Sequence, residues 1–118
     1  MGIDNLGLQE RSGLLASAAE LASRIGDRRL RIVDCRFDLM DPQAGRDAYL
    51  DGHIPGAVYA DLDKDLSGPV GPDSGRHPLP DVSDAEAAFS RLGIDTDIDV
   101  VCYDATGGAI AARAWWLL

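Results

Sequence analysis

No apolar run in these 118 residues approaches the ~20 needed to cross a bilayer, which argues against a membrane-spanning chain. The N-terminus carries Asp4 and Glu10 and lacks a basic segment leading into an apolar stretch, so it does not read as a secretory signal. Positive charge is scarce: 11 Lys and Arg stand against 20 Asp and Glu, a net charge of −9. So acidic a chain repels phosphate backbones and anionic lipid, and roles on nucleic acid or a membrane surface are disfavoured. A small anionic substrate stays open, because a local arginine cluster can override the global field. Together these absences predict a soluble, cytoplasmic protein.

Cysteine and histidine are also few. Cys35 and Cys102 lie in short apolar runs and read as buried thiols, since free cysteine packs like a small hydrophobe. A disulfide is disfavoured in a reducing compartment. With His53 and His77 they form no metal-ligand spacing, and neither a metal nor an organic cofactor is expected.

The chain is long enough for one domain with a real core, 46% of its residues being hydrophobic. Residues 1–13 read as a loose arm, with a short strand around Gly13 to Leu15, and the domain proper occupies 14–118. Ser17 and Glu20 form a capping-box pattern that starts a helix with Leu21 and Ile25 inward and Gly26 as its stop. Leu30 to Cys35 is a buried strand, followed by a polar stretch with a short helix around Arg46 to Leu50. His53-Ile54-Pro55-Gly56-Ala57 turns into a strand over Ala57 to Ala60. Residues 61–82 hold so many Gly and Pro that regular structure is excluded; so long a loop is either functional or a solvated excursion. Ser83 and Glu86 repeat the capping box, starting a helix with Ala85, Ala88, Phe89 and Leu92 on one side that ends at Gly93. Asp99 to Tyr103 is the third strand, Asp104 to Gly108 a turn, and Ala109 to Leu118 a helix to which Trp115, Trp116 and Leu118 bring bulk. This alternation predicts an α/β fold, a short, mostly parallel sheet with helices on both faces.

In such sheets ligands bind at the carboxyl ends of the strands. The turn after Tyr103 leads into a helix N-terminus, where a cysteine would be a low-pKa nucleophile. The residue present is Asp104. It reads either as a helix cap or as a carboxylate nucleophile, and the second option lacks the acidic partners and metal such chemistry needs. Cys102 falls two residues too early for the turn. His53 is tempting as a general base, but its setting suggests a side chain that pins a turn by bonding nearby backbone.

Tyr49-Leu-Asp-Gly-His53-Ile54-Pro55-Gly56-Ala57 resembles the motif of rhodanese domains, an aromatic followed four residues later by His-apolar-Pro-Gly-Ala. Leu30-Arg-Ile-Val-Asp34 looks like the family's first core strand and its aspartate. Gly75-Arg76-His77-Pro78-Leu79-Pro80, Val100 to Asp104 and Ala111 to Trp116 are similar to the N-terminal half of two-domain thiosulfate and 3-mercaptopyruvate sulfurtransferases. The resemblance spans about residues 14–118. It implies a rhodanese-like fold in which a C-terminal catalytic rhodanese domain of the same parent protein carries the sulfur on a cysteine persulfide. Asp104 stands at the nucleophile's position here, so the resemblance implies a noncatalytic N-terminal domain. Its expected role is one wall of the cleft that receives a small anionic sulfur donor, with Phe37, Arg76, His77, Asp104 and Ile110 near it. Arg76 and His77 read equally well as solvated surface. Asp34, His53, Pro55 and Gly56 are structural motif residues. Against the family pattern, the C-terminal strand and helix look missing after Leu118, which would leave apolar surface open to self-association. The alternative is a stand-alone binding or regulatory module of the same fold.

Overall fold

The computed structural model describes residues 15–118. The arm over 1–13 and most of the strand expected at 13–15 lie outside the described residues, and Leu15 itself is in no strand. Seven elements follow: α1 (Ala18–Arg24), β1 (Leu30–Asp34), α2 (Ala44–Asp51), β2 (Val58–Tyr59), α3 (Val82–Arg91), β3 (Asp99–Tyr103) and α4 (Ala111–Leu117). The strands form one sheet in the order β2-β1-β3, and both pairings are parallel. No helix among the described residues is long and apolar enough to cross a membrane.

β1 is central and wholly apolar apart from Arg31 and Asp34, as a strand covered on both faces requires. On one face Val33, Cys35 and Cys102 pack with Ala85 and Phe89 of α3 and Ala111 and Ala114 of α4. On the other, Leu30, Ile32 and Ala57 pack with Leu21 of α1, Ile54, Val101 and Tyr103. β2 is shorter than the four residues expected, because only Val58 and Tyr59 find partners on β1.

The Ser17 capping box forms in full, with Ser17 Oγ accepting from Glu20 N and Glu20 Oε1 from Ser17 N. Gly26 and Gly93 both take the positive φ of a helix stop, 92° and 80°. The second capping box does not form. Asp81 leaves Pro80 in an extended conformation and occupies the cap position, which puts Ser83 inside the first turn. Asp81 and Ser83 are both cap-type residues, and the local pattern alone does not choose between them. Ile25 is largely exposed rather than inward, and Trp115 and Trp116 are 46% and 64% exposed rather than core bulk. The core of α4 is built from Ala111 and Ala114, small residues that let the helix approach the sheet closely.

The long loop lacks helix and strand up to Asp81, Val82 already opening α3, and it is not a free excursion. The Asp61 carboxylate accepts from Asp63 N and Lys64 N, Leu66 is fully buried, and Gly68 N donates to Pro78 O at 2.8 Å. The start of the loop is therefore folded on itself and packed on the core through Leu66, and its two arms are tied to each other.

Candidate functional site

Asp34 ends β1 with its carboxylate fully buried. A buried charge needs paired partners. Arg36 supplies a guanidinium at 2.7 Å, Arg36 N a bond of 2.9 Å, and Tyr103 Oη a bond of 2.8 Å. Arg36 Nη2 continues to Gly52 O, and Tyr103 Oη also receives Ile54 N at 3.3 Å. This network ties β1 and β3 to the His53–Ala57 turn. In that turn Pro55 and Gly56, with φ 83° at Gly56 and Ala57 N donating to Ile54 O, make a compact reversal. His53 stacks on Tyr49 with ring centroids 3.8 Å apart, and its Nδ1 lies 2.7 Å from Tyr49 O. It pins the turn, and the Tyr49 hydroxyl holds the far side by donating to Ala57 O.

At the end of β3 the Asp104 carboxylate turns back into its own loop. Oδ1 accepts from Thr106 N at 3.0 Å and Gly108 N at 2.8 Å, and Oδ2 accepts from Ile110 N and Ala111 N, both at 2.8 Å. Partial burial works against the charge, but the four N–H donors outweigh it and hold the carboxyl below the usual aspartate range. Ile110 at the cap position offers no side-chain acceptor, so Asp104 caps α4 from six and seven residues away. Neither thiol lies in this loop: Cys35 and Cys102 are both buried and reduced. Hydrogen bonding with Cys102, together with burial, pushes the Cys35 thiol up.

The remaining candidates do not converge on Asp104. Phe37 and His77 meet edge to face, with centroids 6.0 Å apart. Ile110 packs against the same core cluster as Phe37. Arg76 reaches out of this group to donate to Leu39 O at 2.6 Å. His77 is held beside two groups that sequence reasoning missed. Its Nδ1 lies 3.0 Å from Asp63 Oδ1, an ion-pair distance without hydrogen-bond geometry, and both ring nitrogens are shielded from solvent without a hydrogen bond. Its carbonyl receives Arg113 Nη2 at 2.7 Å. Arg113 had a legible signal, being the lone charge in the helix AARAWWL. Asp63 had little, lying in the run Asp61-Leu-Asp63-Lys-Asp65, where each acid looks alike. Among the described residues no group of three His, Cys, Asp or Glu is placed to hold a metal ion.

The rhodanese-like domain model matches residues 17–118. The chain belongs to the rhodanese family. This rhodanese domain is 48% identical over 108 residues to a probable 3-mercaptopyruvate sulfurtransferase of Pseudomonas aeruginosa, covering 91% of this chain and 38% of that protein. It is 36% identical over 102 residues to the 3-mercaptopyruvate sulfurtransferase of Escherichia coli, covering 83% of this chain and 34% of that one. Among solved structures, 3-mercaptopyruvate sulfurtransferase from Leishmania major superposes with a TM-score of 0.72 at 33% identity, over 80% of this chain and 27% of that one. The rhodanese domain thus spans well under half the length of these relatives.

Proposed function

We propose that this rhodanese domain is the noncatalytic N-terminal half of a sulfurtransferase that moves sulfane sulfur from thiosulfate or 3-mercaptopyruvate to a thiophilic acceptor such as cyanide or a thiol. The state of Asp104 carries the reading. Sulfur transfer needs a thiolate that accepts sulfur as a persulfide and gives it up again. A carboxylate oxygen cannot do this, and this one already fills the loop's four N–H donors. The nucleophile then belongs to a C-terminal catalytic rhodanese domain, and this chain supplies one wall of the cleft above it.

Phe37, His77 and Ile110 belong to that wall, with Arg76 at its edge for the anionic donor. His77 beside Asp63 is the wall's proton-handling pair. When a mercaptan such as 3-mercaptopyruvate yields its sulfur, the thiol proton must leave and the carbon left behind must gain one, and a shielded imidazole held by a carboxylate suits that task. Two cysteines that are not joined in a disulfide suit a cytoplasmic setting. Exposed Trp115 and Trp116 beside the outer edge of β3 support self-association of the isolated chain.

The test is thiocyanate formation by the purified chain from thiosulfate or 3-mercaptopyruvate and cyanide, with Cys35→Ser and Cys102→Ser alongside. No turnover is expected. Turnover abolished by Cys102→Ser would make the strand thiol the nucleophile and overturn the assignment. For the His77 role, the chain replaces the matching segment of the Pseudomonas relative, and His77→Gln in that chimera is expected to slow 3-mercaptopyruvate turnover.

A further inference from the structure

Arg113 is half-buried on α4 between Ala111 and Ala114, which are both fully packed against the sheet. Its guanidinium reaches away from the helix to two carbonyls of the long loop. Nη1 donates to Leu66 O at 2.9 Å and Nη2 to His77 O at 2.7 Å, across 47 and 36 residues of chain. The two acceptors stand at opposite ends of the Gly/Pro-rich stretch, so a single planar fork closes it. The bond from Gly68 N to Pro78 O straps the same two arms together one residue outside the His77 contact.

His77 needs such an anchor. Its ring makes no hydrogen bond of its own, and its neighbours are the Phe37 ring, with centroids 6.0 Å apart, and Asp63 Oδ1 at 3.0 Å. The ring's place therefore depends on where its backbone is held, and the Arg113 bond holds that backbone at its carbonyl. A charge-assisted N–H···O=C bond at this distance is among the stronger ones a side chain makes to backbone. A lysine could not reproduce it, because an ammonium is a point donor on a flexible stem and lacks the fixed fork that spans two acceptors.

We propose that Arg113 is a positioning residue that sets the His77 imidazole beside Asp63 by clamping both ends of the loop. Its importance for sulfur transfer rests on the role given to His77 above, but the clamp itself is testable in the chain alone. The readout is the imidazole ¹H and ¹⁵N resonances of the labelled chain at one fixed pH, with the proton contacts between the His77 and Phe37 rings. His53, held by Tyr49, is the internal reference. Arg113→Met is expected to displace the His77 imidazole resonances and weaken that ring's contacts with the Phe37 ring, since the ring moves with its backbone, while the His53 resonances stay in place. Arg113→Lys is expected to shift His77 in the same direction by less. Unchanged His77 resonances in a folded Arg113→Met chain would overturn the proposal. Should Arg113→Met fail to fold, Arg113→Lys decides alone; failure of both would assign Arg113 to fold stability and overturn it too. A moved His77 signal combined with an active His77→Gln chimera would keep the clamp and discard the proton-handling role.

Discussion

The Tyr103 hydroxyl donates a 2.8 Å hydrogen bond to Asp34 Oδ2 across 69 residues of chain, joining the last residue of β3 to the last residue of β1. Tyr103→Phe removes one donor from a fully buried carboxylate and leaves the ring in place. The expected loss is about 1.5–3 kcal/mol by urea unfolding, the range for a hydrogen bond to a charged group. Asp34→Ala is expected to cost more, because it strands the Arg36 guanidinium as well. Equal stability of Tyr103→Phe and the parent would remove this bond from the account.

The same pair has an alkaline signature. Burial above all, with the Asp34 carboxylate adding to it, pushes the Tyr103 phenol up to about 12. Its folded value exceeds the unfolded value near 10, so its contribution is complete below about pH 10 and is lost as pH rises toward the folded value. Unfolding midpoints between about pH 9 and 12 should fall more steeply for the parent than for Tyr103→Phe. Parallel curves would contradict the raised value.

Asp104 gives the opposite slope. Its folded-state value is depressed, so its stabilisation is complete above the unfolded value near 3.9 and is lost as pH falls through the lower folded value. Asp104→Ala leaves four N–H groups without their acceptor and should cost about 1–2 kcal/mol at neutral pH, the range of a lost helix cap. The gap between variant and parent should narrow in acid below about pH 4. A constant gap from neutral to acid would mean that the carboxylate's charge is not what the loop binds.

Cys35 and Cys102 should be silent toward a thiol reagent such as dithionitrobenzoate in the native chain and react fully in urea. Both thiols are buried, and the raised Cys35 thiol carries little thiolate. Rapid native labelling of Cys102 would show it open to solvent and would revive it as a nucleophile.

Gly45 sits where a side chain has no room: a Cβ there would overlap the Arg36 carbonyl and meet the Tyr59 hydroxyl at 2.5 Å. Gly45→Ala gains helix propensity in α2 but forces these groups apart, for a net loss of about 1–3 kcal/mol by thermal or urea unfolding. A stabilised Gly45→Ala would show that Arg36 and its carbonyl move freely.

Much of this was legible in the residues themselves. The runs Leu30–Asp34 and Asp99–Tyr103 show as short apolar stretches, although their ladders join residues far apart in the chain; the Ser17–Glu20 capping box and the stops at Gly26 and Gly93 are local signals, each satisfied by neighbours within a few residues. The turn at His53–Ala57 was readable for the same reason, as was Asp104 as the cap of the following helix, although its bonds reach seven residues ahead. The alternation of strands with helices also pointed to a mostly parallel sheet, because strands separated by helices do not pair by tight hairpins.

Tertiary structure alone decided what depends on distant partners. Whether Asp81 or Ser83 takes the cap position of α3 was decided there, as was which face of α4 is buried, Ala111 and Ala114 inward and Trp115 and Trp116 outward. The loop over 61–82 could be read either as functional or as a solvated excursion because its own residues show no partners; its anchors are Arg113, Leu66 and the Gly68–Pro78 bond. His77 acquired its setting in the same way, from Asp63 fourteen residues before it and Arg113 thirty-six after it. Local patterns report bonds a chain makes with itself nearby; the setting of His77 is made of bonds between segments that only folding brings into reach.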